Sequence, residues 1–473
     1  MKSKILLIVI LFVCVLLRLY KIDNPVGDWH SWRQADTAAV ARNFDKFGVD
    51  MLRPRYDDLS NISSGLDNPM GWRMVEFPVY QITAYGLKQV FGTWSIEIWL
   101  RLVSIAASTG SVLLIYLLGF HMVNKRVGLL SALGFGVLPY SVYYGRVILP
   151  EATAVFLALL SIYLLIRIKN TFLAVILSGI TGALVLLVKP TAAFIMLPMI
   201  YFAWKRFKGF RGIFSIWPYL LTILILTPFM WWRNWITQYP EGIPGNIWLL
   251  NGDGIRLRGA WFYWIFGERI SKFILGFWGV VPLALGVLSM LSSSKLKPVL
   301  WFVAGAAIYL VIFATGNVKH DYYQVMILPA LVFTVAVGIE YLIKDKKSFI
   351  ERSVSYSFTT AILLLSVVLS WHEVRTYYWI NNMKMVEVGK IVDELLPKDA
   401  KVIAMYGGDT AFLYQTNRQG WPIGFEIEDK IKKGATHYVS LDPLDIEPET
   451  LAEKYTTLKE GDGYIIISLT PSK

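Results

Sequence analysis

The sequence holds a single cysteine, Cys14, in 473 residues. No intramolecular disulfide can form, and a cysteine-ligated zinc or iron–sulfur centre lacks its ligands. Charge is scarce too: Asp, Glu, Lys and Arg make up 17% of the chain, against roughly 25% in soluble domains. The five histidines never form an H-E-x-x-H pair, and His372-Glu373 has no second histidine at that spacing. Also missing are G-x-x-x-x-G-K-[ST], G-x-G-x-x-G, G-x-S-x-G and C-x-x-C. Their absence argues against an ATP-driven pump and weakens hydrolase and redox readings. Internal repeats, low-complexity tracts and long linkers are lacking as well.

What the chain has in quantity is apolar residues, 55% of the total, with a mean hydropathy of +0.50. This composition argues against an ordinary soluble enzyme, and the net charge of +12 is read by where it sits. It flanks apolar runs, which points to a membrane and not to nucleic acid. A first run over 5–20 follows Lys2 and Lys4 but no small-residue cleavage site, so it reads as an uncleaved span. Further runs lie near 99–119, 128–146, 150–167, 171–188, 190–204, 213–232, 272–291, 299–315, 323–343 and 353–371. With about 20 apolar residues needed per span, the expected fold is mainly α. It is a polytopic helical membrane protein with about 11 transmembrane helices.

Sixteen Lys and Arg residues sit on one set of helix ends, from Lys2 and Lys4 to Lys344 and Arg352. Only Arg146, Lys189 and Lys319 lie in the short connections of the other set. The positive-inside rule then puts the N-terminus in the cytoplasm, in the cytoplasmic (inner) membrane. This holds if residues 76–92 are interfacial or re-entrant and not a full span. Residues 1–371 form the expected multi-pass domain, with outer loops 20–97 and 233–271. Residues 372–473 form a small extracytoplasmic α/β domain, with a helix near 385–396 and strands near 401–406, 437–441 and 464–469.

Polar density marks the outer face. Residues 27–37 read Gly-Asp-Trp-His-Ser-Trp-Arg-Gln-Ala-Asp-Thr, and Ser31 with Gln34 fits a capping box opening a helix. Asp28 and His30 then sit at the mouth of that helix, whose N-terminus suits a phosphate, with Arg33 as a bidentate donor. A well-capped surface helix is the plain alternative. Glu76-Phe77-Pro78, Leu149-Pro150-Glu151 and Lys189-Pro190-Thr191 place three more ionisable groups at span ends, where such groups mark cavities unless they are solvated or snorkel. His320-Asp321-Tyr322-Tyr323 adds a fourth polar and aromatic edge, expected to face His30 and Asp28 across a common cavity. No paired ligand spacing supports a resident metal, and a divalent cation such as Mg or Mn is left open. The aromatic and hydrogen-bonding residues of 233–271 suit a sugar and suit interfacial anchoring equally.

This ordered set resembles the GT-C membrane glycosyltransferases, in particular the family 39 type that includes protein O-mannosyltransferases and the lipid A aminoarabinose transferase. The residues that carry the resemblance are Asp28, the stretch from His30 to Thr37, Glu76-Phe77-Pro78, Leu149-Pro150-Glu151, Lys189-Pro190-Thr191 and His320 to Tyr323. Many relatives begin the first loop with paired acids, whereas here Asp28 precedes Trp29. The resemblance implies a polyprenyl-phosphate sugar donor, inversion at the anomeric carbon and an extracytoplasmic protein, lipid or glycan acceptor. Asp28 would then be the general base, with Glu76 or Glu151 as a second carboxylate. His30, Arg33, Arg146, Lys189 and Lys319 would meet the departing phosphate, and Trp32, Gln34, Asp36, His320, Asp321, Tyr322 and Tyr323 would line the cavity. A transporter or flippase of a lipid-linked sugar would need the same spans and cations but no base. Equivalent halves with broken helices would favour it, and the sequence shows none.

Overall fold

The computed structural model describes residues 2–470 and is predominantly helical. Among the described residues, five helical segments are long and apolar enough to cross a membrane. They are Ile96–Met122, Thr171–Val188, Ser294–Ile312, Asp321–Ile343 and one within Phe349–Leu395. Most other apolar runs fold as shorter or broken helices, and proline sets two of the breaks: Pro139 separates Lys125–Val137 from Pro139–Tyr144, and Pro198 opens Pro198–Arg206 after the 3-10 helix Pro190–Met196. Ile216–Trp235 instead runs unbroken for 20 residues with Pro228 inside it. Proline has no N–H to continue the ladder but is pre-shaped for a first turn. Residues 76–92 give the helix Val79–Phe91, whose 13 residues span about 20 Å, short of a bilayer core of about 30 Å.

The chain divides into two compact units. The helical unit contains the segment up to Ile22, Arg101–Trp232 and Asn246–Thr376. Its central element is the helix Leu328–Ile343, which packs against Val280–Ser292, Lys125–Val137 and Lys297–Ile312. Leu328–Ile343 and Val280–Ser292 approach closely at glycines: a Cβ on Gly338 would lie 1.8 Å from the Pro282 carbonyl oxygen, and one on Gly286 2.0 Å from that of Thr334. Small residues let backbones meet where both helices face lipid-like surroundings.

The second unit is built from Asp23–Leu100, Arg233–Gly245 and the chain from Tyr377 onward. Its sheet comprises β1 (Lys401–Ala404), β2 (Gln419–Trp421), β3 (His437–Ser440), β4 (Thr456–Gly461) and β5 (Tyr464–Ser468), in the order β2-β1-β3-β5-β4. β1 pairs in parallel with β2 and β3, and β5 is antiparallel to β3 and β4. The first loop extends the β2 edge: the Gly420 N–H donates to the Asp57 carbonyl at 2.9 Å and the Leu59 N–H to the Gly420 carbonyl at 2.8 Å. Leu59 is buried in the sheet's core with Ile403, Trp421, Tyr438 and Ile467. Of the two expected outer loops, residues 23–100 and 233–245 therefore fold with the tail, while 246–271 belong to the helical unit.

Candidate functional site

In the second unit the helix Ser31–Phe47 begins where the sequence places it, but its cap differs. His30 is the N-cap, in the left-handed region at φ 57°, and makes no side-chain cap bond. Ser31 is then the first helical residue, and Gln34 the fourth, so the expected capping box does not form. The Gln34 amide instead donates to Asp28 Oδ1 at 2.5 Å and to the Trp29 carbonyl at 3.0 Å. The Ser31 hydroxyl donates to Asp409 at 3.3 Å. Asp28 is wholly buried, and Trp29 beside it stacks on Tyr377 with ring centroids 5.0 Å apart.

Two buried ion pairs line the inner face of this helix. Arg33 bonds Glu76 at 2.8 Å, and Gln81 donates to the other Glu76 oxygen at 3.4 Å. One turn on, Asp36 meets Arg73 at 2.8 Å and accepts from the Thr410 hydroxyl at 2.7 Å. Thr410 also donates to the Trp32 carbonyl at 3.1 Å. Burial pushes the Asp36 carboxyl above its usual range, while Arg73, Thr410 and Arg33 pull it down. Burial likewise raises Asp58 to about 6, against the Ser60 bonds that lower it, and raises Asp409. This face of the unit therefore holds charge only where a partner or burial-tolerant proton offsets the loss of water.

In the helical unit Lys189 bonds Glu151 Oε1 at 2.5 Å, and its ammonium lies 5.7 and 5.4 Å from the Tyr322 and Tyr323 ring centroids. Glu151 Oε2 is buried and has no hydrogen-bond partner among the described residues. The Asp321 carboxylate accepts from the Tyr144 hydroxyl at 2.8 Å, and its carbonyl accepts from Tyr140. Arg146 donates to the Lys21 carbonyl at 2.6 Å over the Tyr143 ring. Lys319 lies further out, half-exposed and paired with Asp253 at 3.2 Å, while His320 packs on Tyr322 and Trp248. Asp28 and His30 thus belong to one unit, and His320 and Asp321 to the other. Among the described residues no three His, Cys, Asp or Glu side chains gather as a metal site requires.

Sequence reading missed Arg73, Thr410, Tyr140 and Tyr144, which hold Asp36 and Asp321 in place. Arg73 and Thr410 lie 37 and 374 residues from Asp36, so no local spacing announces them. An arginine just ahead of Glu76-Phe77-Pro78 is the one trace available.

Residues 78–235 match the family described as dolichyl-phosphate-mannose-protein mannosyltransferase. An uncharacterized protein of Aquifex aeolicus (strain VF5) is 26% identical over 278 residues, 57% of this chain. The match spans 59% of that relative's length, less than two thirds of it. Among solved structures, ArnT from Cupriavidus metallidurans bound to undecaprenyl phosphate superposes with a TM-score of 0.67 at 11% identity, covering 98% of this chain and 97% of that one. The oligosaccharyltransferase AglB from Archaeoglobus fulgidus, in complex with an inhibitory peptide and a dolichol-phosphate, gives 0.60 at 12%, covering 96% and 72%. The arabinofuranosyltransferase AftD from Mycobacteria gives 0.60 at 12%, covering 99% and 42%. The fold is that of these three proteins, and the sequence match over 78–235 is to the mannosyltransferase family alone.

Proposed function

We propose that this chain, of GT-C fold and matching the mannosyltransferase family over residues 78–235, is an inverting glycosyltransferase. Its donor is a polyprenyl-phosphate-linked sugar and its acceptor an extracytoplasmic hydroxyl or amine of a protein, lipid or glycan. The observation that carries the reading is Asp28: a carboxylate buried completely, at the mouth of a helix, oriented by the Gln34 amide. Burial of an acid is costly, and a chain that keeps one beside an aromatic pair and a helix start has placed it for chemistry more readily than for stability.

In the proposed step the acceptor oxygen or nitrogen attacks the anomeric carbon from the face opposite the phosphate. The bond from that carbon to the phosphate oxygen breaks, its electron pair leaves with the polyprenyl phosphate, and the acceptor's proton passes to Asp28. Gln34 holds one Asp28 oxygen as an acceptor, the form a base needs. Glu76, which accepts from Arg33 and Gln81, is the second carboxylate of this unit. Arg33, on the first turn of a helix whose N-terminus carries partial positive charge, is the cation of this unit assigned to the leaving phosphate. The support from relatives is of kind only: ArnT is described with undecaprenyl phosphate, and AglB with a dolichol-phosphate.

The test is transfer from a panel of polyprenyl-phosphate sugars by the purified chain in lipid, with Asp28→Asn beside it. A base of this kind contributes about 10² to 10⁴-fold, so Asp28→Asn should lose that much turnover while still binding donor, and the product should show the inverted anomeric configuration. Full turnover in Asp28→Asn overturns the assignment of the base. Donor movement across vesicles, with no transfer by either protein to any acceptor class, would make the chain a transporter.

A further inference from the structure

A cavity of about 890 Å³ lies within the helical unit, inside the range of about 300–1,000 Å³ for sites that take drug-sized ligands. Its position is fixed by the helix Glu151–Arg167: Glu151, paired with Lys189, starts that helix, and Leu165 and Ile166 at its far end line the cavity. Fourteen or more residues of helix put the two about 20 Å apart, so the cavity opens at the opposite ends of the helices from Glu151. Its walls are apolar, including Phe202, Leu296 and Val337, while its polar lining is heavily cationic: Lys205, Arg206, Lys295 and Lys344.

The charge there is not balanced from within. Glu340 is the one carboxylate of the lining, and it is taken up by Arg126 at 3.1 Å and Asn124 at 3.3 Å. Lys205 lies over the Tyr201 ring, at 4.5 Å, and Arg206 donates to the carbonyls of Leu165 and Lys169. Lys344 pairs weakly, at 3.6 Å, with the exposed Asp345. Helix C-termini converge here and favour cations in part, but their partial charges fall short of four full ones.

We propose that this cavity binds the phosphate headgroup of an anionic membrane lipid, separately from the transfer site. A phosphate ester satisfies the lysines, and the apolar wall takes the first carbons of its chains, as basic pockets between membrane helices do. The proposal stands whether or not the transferase reading does.

The test is native mass spectrometry of the full chain, delipidated in neutral detergent and titrated with phosphatidylglycerol, phosphatidylcholine or inorganic phosphate. The wild type should retain one phosphatidylglycerol in preference to phosphatidylcholine. The variant Lys205→Gln/Lys295→Gln/Lys344→Gln should bind it at least about tenfold more weakly, since it removes three of the four cations of the lining. A control with Lys346→Gln/Lys347→Gln/Arg352→Gln, outside the cavity, should bind as the wild type does. Both variants should melt in the neutral detergent at the wild-type temperature. Equal loss in the control would reduce the effect to general surface charge and overturn the site. No lipid preference in the wild type overturns it as well, and displacement by millimolar phosphate would make the ligand a soluble anion and refute the lipid assignment.

Discussion

At the scale of single residues, the buried acids of the second unit divide by how their charge is met. Asp36 has Arg73 and Thr410, whereas Asp58 accepts from the Ser60 amide at 2.8 Å and the Tyr56 hydroxyl at 3.5 Å, and Arg73 lowers it less than burial raises it. Its carboxyl is therefore pushed up to about 6, above an unfolded value of about 3.9. A raised folded-state value means the folded protein holds the proton longer than the unfolded chain. The stabilisation is thus complete below about pH 4 and is lost as pH rises through 6, a swing on the order of 3 kcal/mol. Hydrogen exchange at the amides of 55–60 should accelerate from pH 4 to 7 beyond the intrinsic chemical rate, and Asp58→Asn should remove the excess. Parallel profiles in the two proteins would refute the assignment. Lys189 offers the converse case. Lys189→Met strands Glu151, 1% exposed, and should destabilise by about 3–5 kcal/mol, while the double variant Glu151→Leu/Lys189→Met should recover much of the loss in melting temperature.

At the scale of elements, packing of Leu328–Ile343 on Val280–Ser292 depends on Gly338 and Gly286, where a Cβ would enter a carbonyl oxygen. Gly338→Ala should cost about 1–3 kcal/mol through forced separation of the two helices, read as a lower melting temperature in detergent. An unchanged melt would mean that the pair is looser than its geometry. Which elements exist was largely legible from the chain. Apolar runs marked the long helices, the short amphipathic stretch became Val79–Phe91, and strands β1, β3 and β5 fall where alternation and β-branched residues put them. What escaped has physical reasons. β4 reads Thr-Thr-Leu-Lys-Glu-Gly, exposed through its first five residues, so it lacks the in-out pattern of a half-buried strand. β2 is three residues long, and the 57–59 segment joins it through backbone bonds that no side-chain pattern encodes. Within the candidate site the acids and bases stood out by type, but their partners did not, because Arg33–Glu76 and Asp36–Thr410 close over 43 and 374 residues. Roles for Asp409 and Arg418 came only with the fold. Asp409 caps Thr410–Gln415, and the buried Arg418 bonds the carbonyls of Asp393, Leu396 and Pro397 that end Met383–Leu395.

At the scale of the whole molecule, one compact unit is assembled from three stretches far apart in the chain, which makes the first loop and the tail interdependent. The loop edge at Asp57 and Leu59 is bonded to Gly420. Arg42 lies 3.9 Å from the Tyr414 ring centroid and donates to the Tyr414 carbonyl at 2.9 Å. Gln419 donates to the Tyr56 carbonyl at 2.9 Å, and Asp36 relies on Thr410 for one of its two partners. Ending the chain at Thr376 removes all of these at once. Each lost hydrogen bond is worth only about 0.5–1.5 kcal/mol, but the buried groups left unpaired cost more, and Leu59 loses the core it packs in. Residues 23–100 should then open as a block while the helical unit stays folded, since the segment up to Ile22, Arg101–Trp232 and Asn246–Thr376 keep their own contacts. Limited trypsin digestion in lipid distinguishes the two states. Arg42 and Arg73, with side chains 15% and 8% exposed in the intact chain, should resist cleavage there and be cut rapidly in the truncated one. Adding residues 377–473 as a separate chain should restore protection if the tail folds onto the loop. Continued protection of Arg42 and Arg73 without the tail would mean that residues 23–100 form a folding unit by themselves, and that the sheet edge at Gly420 adds to that unit without sustaining it.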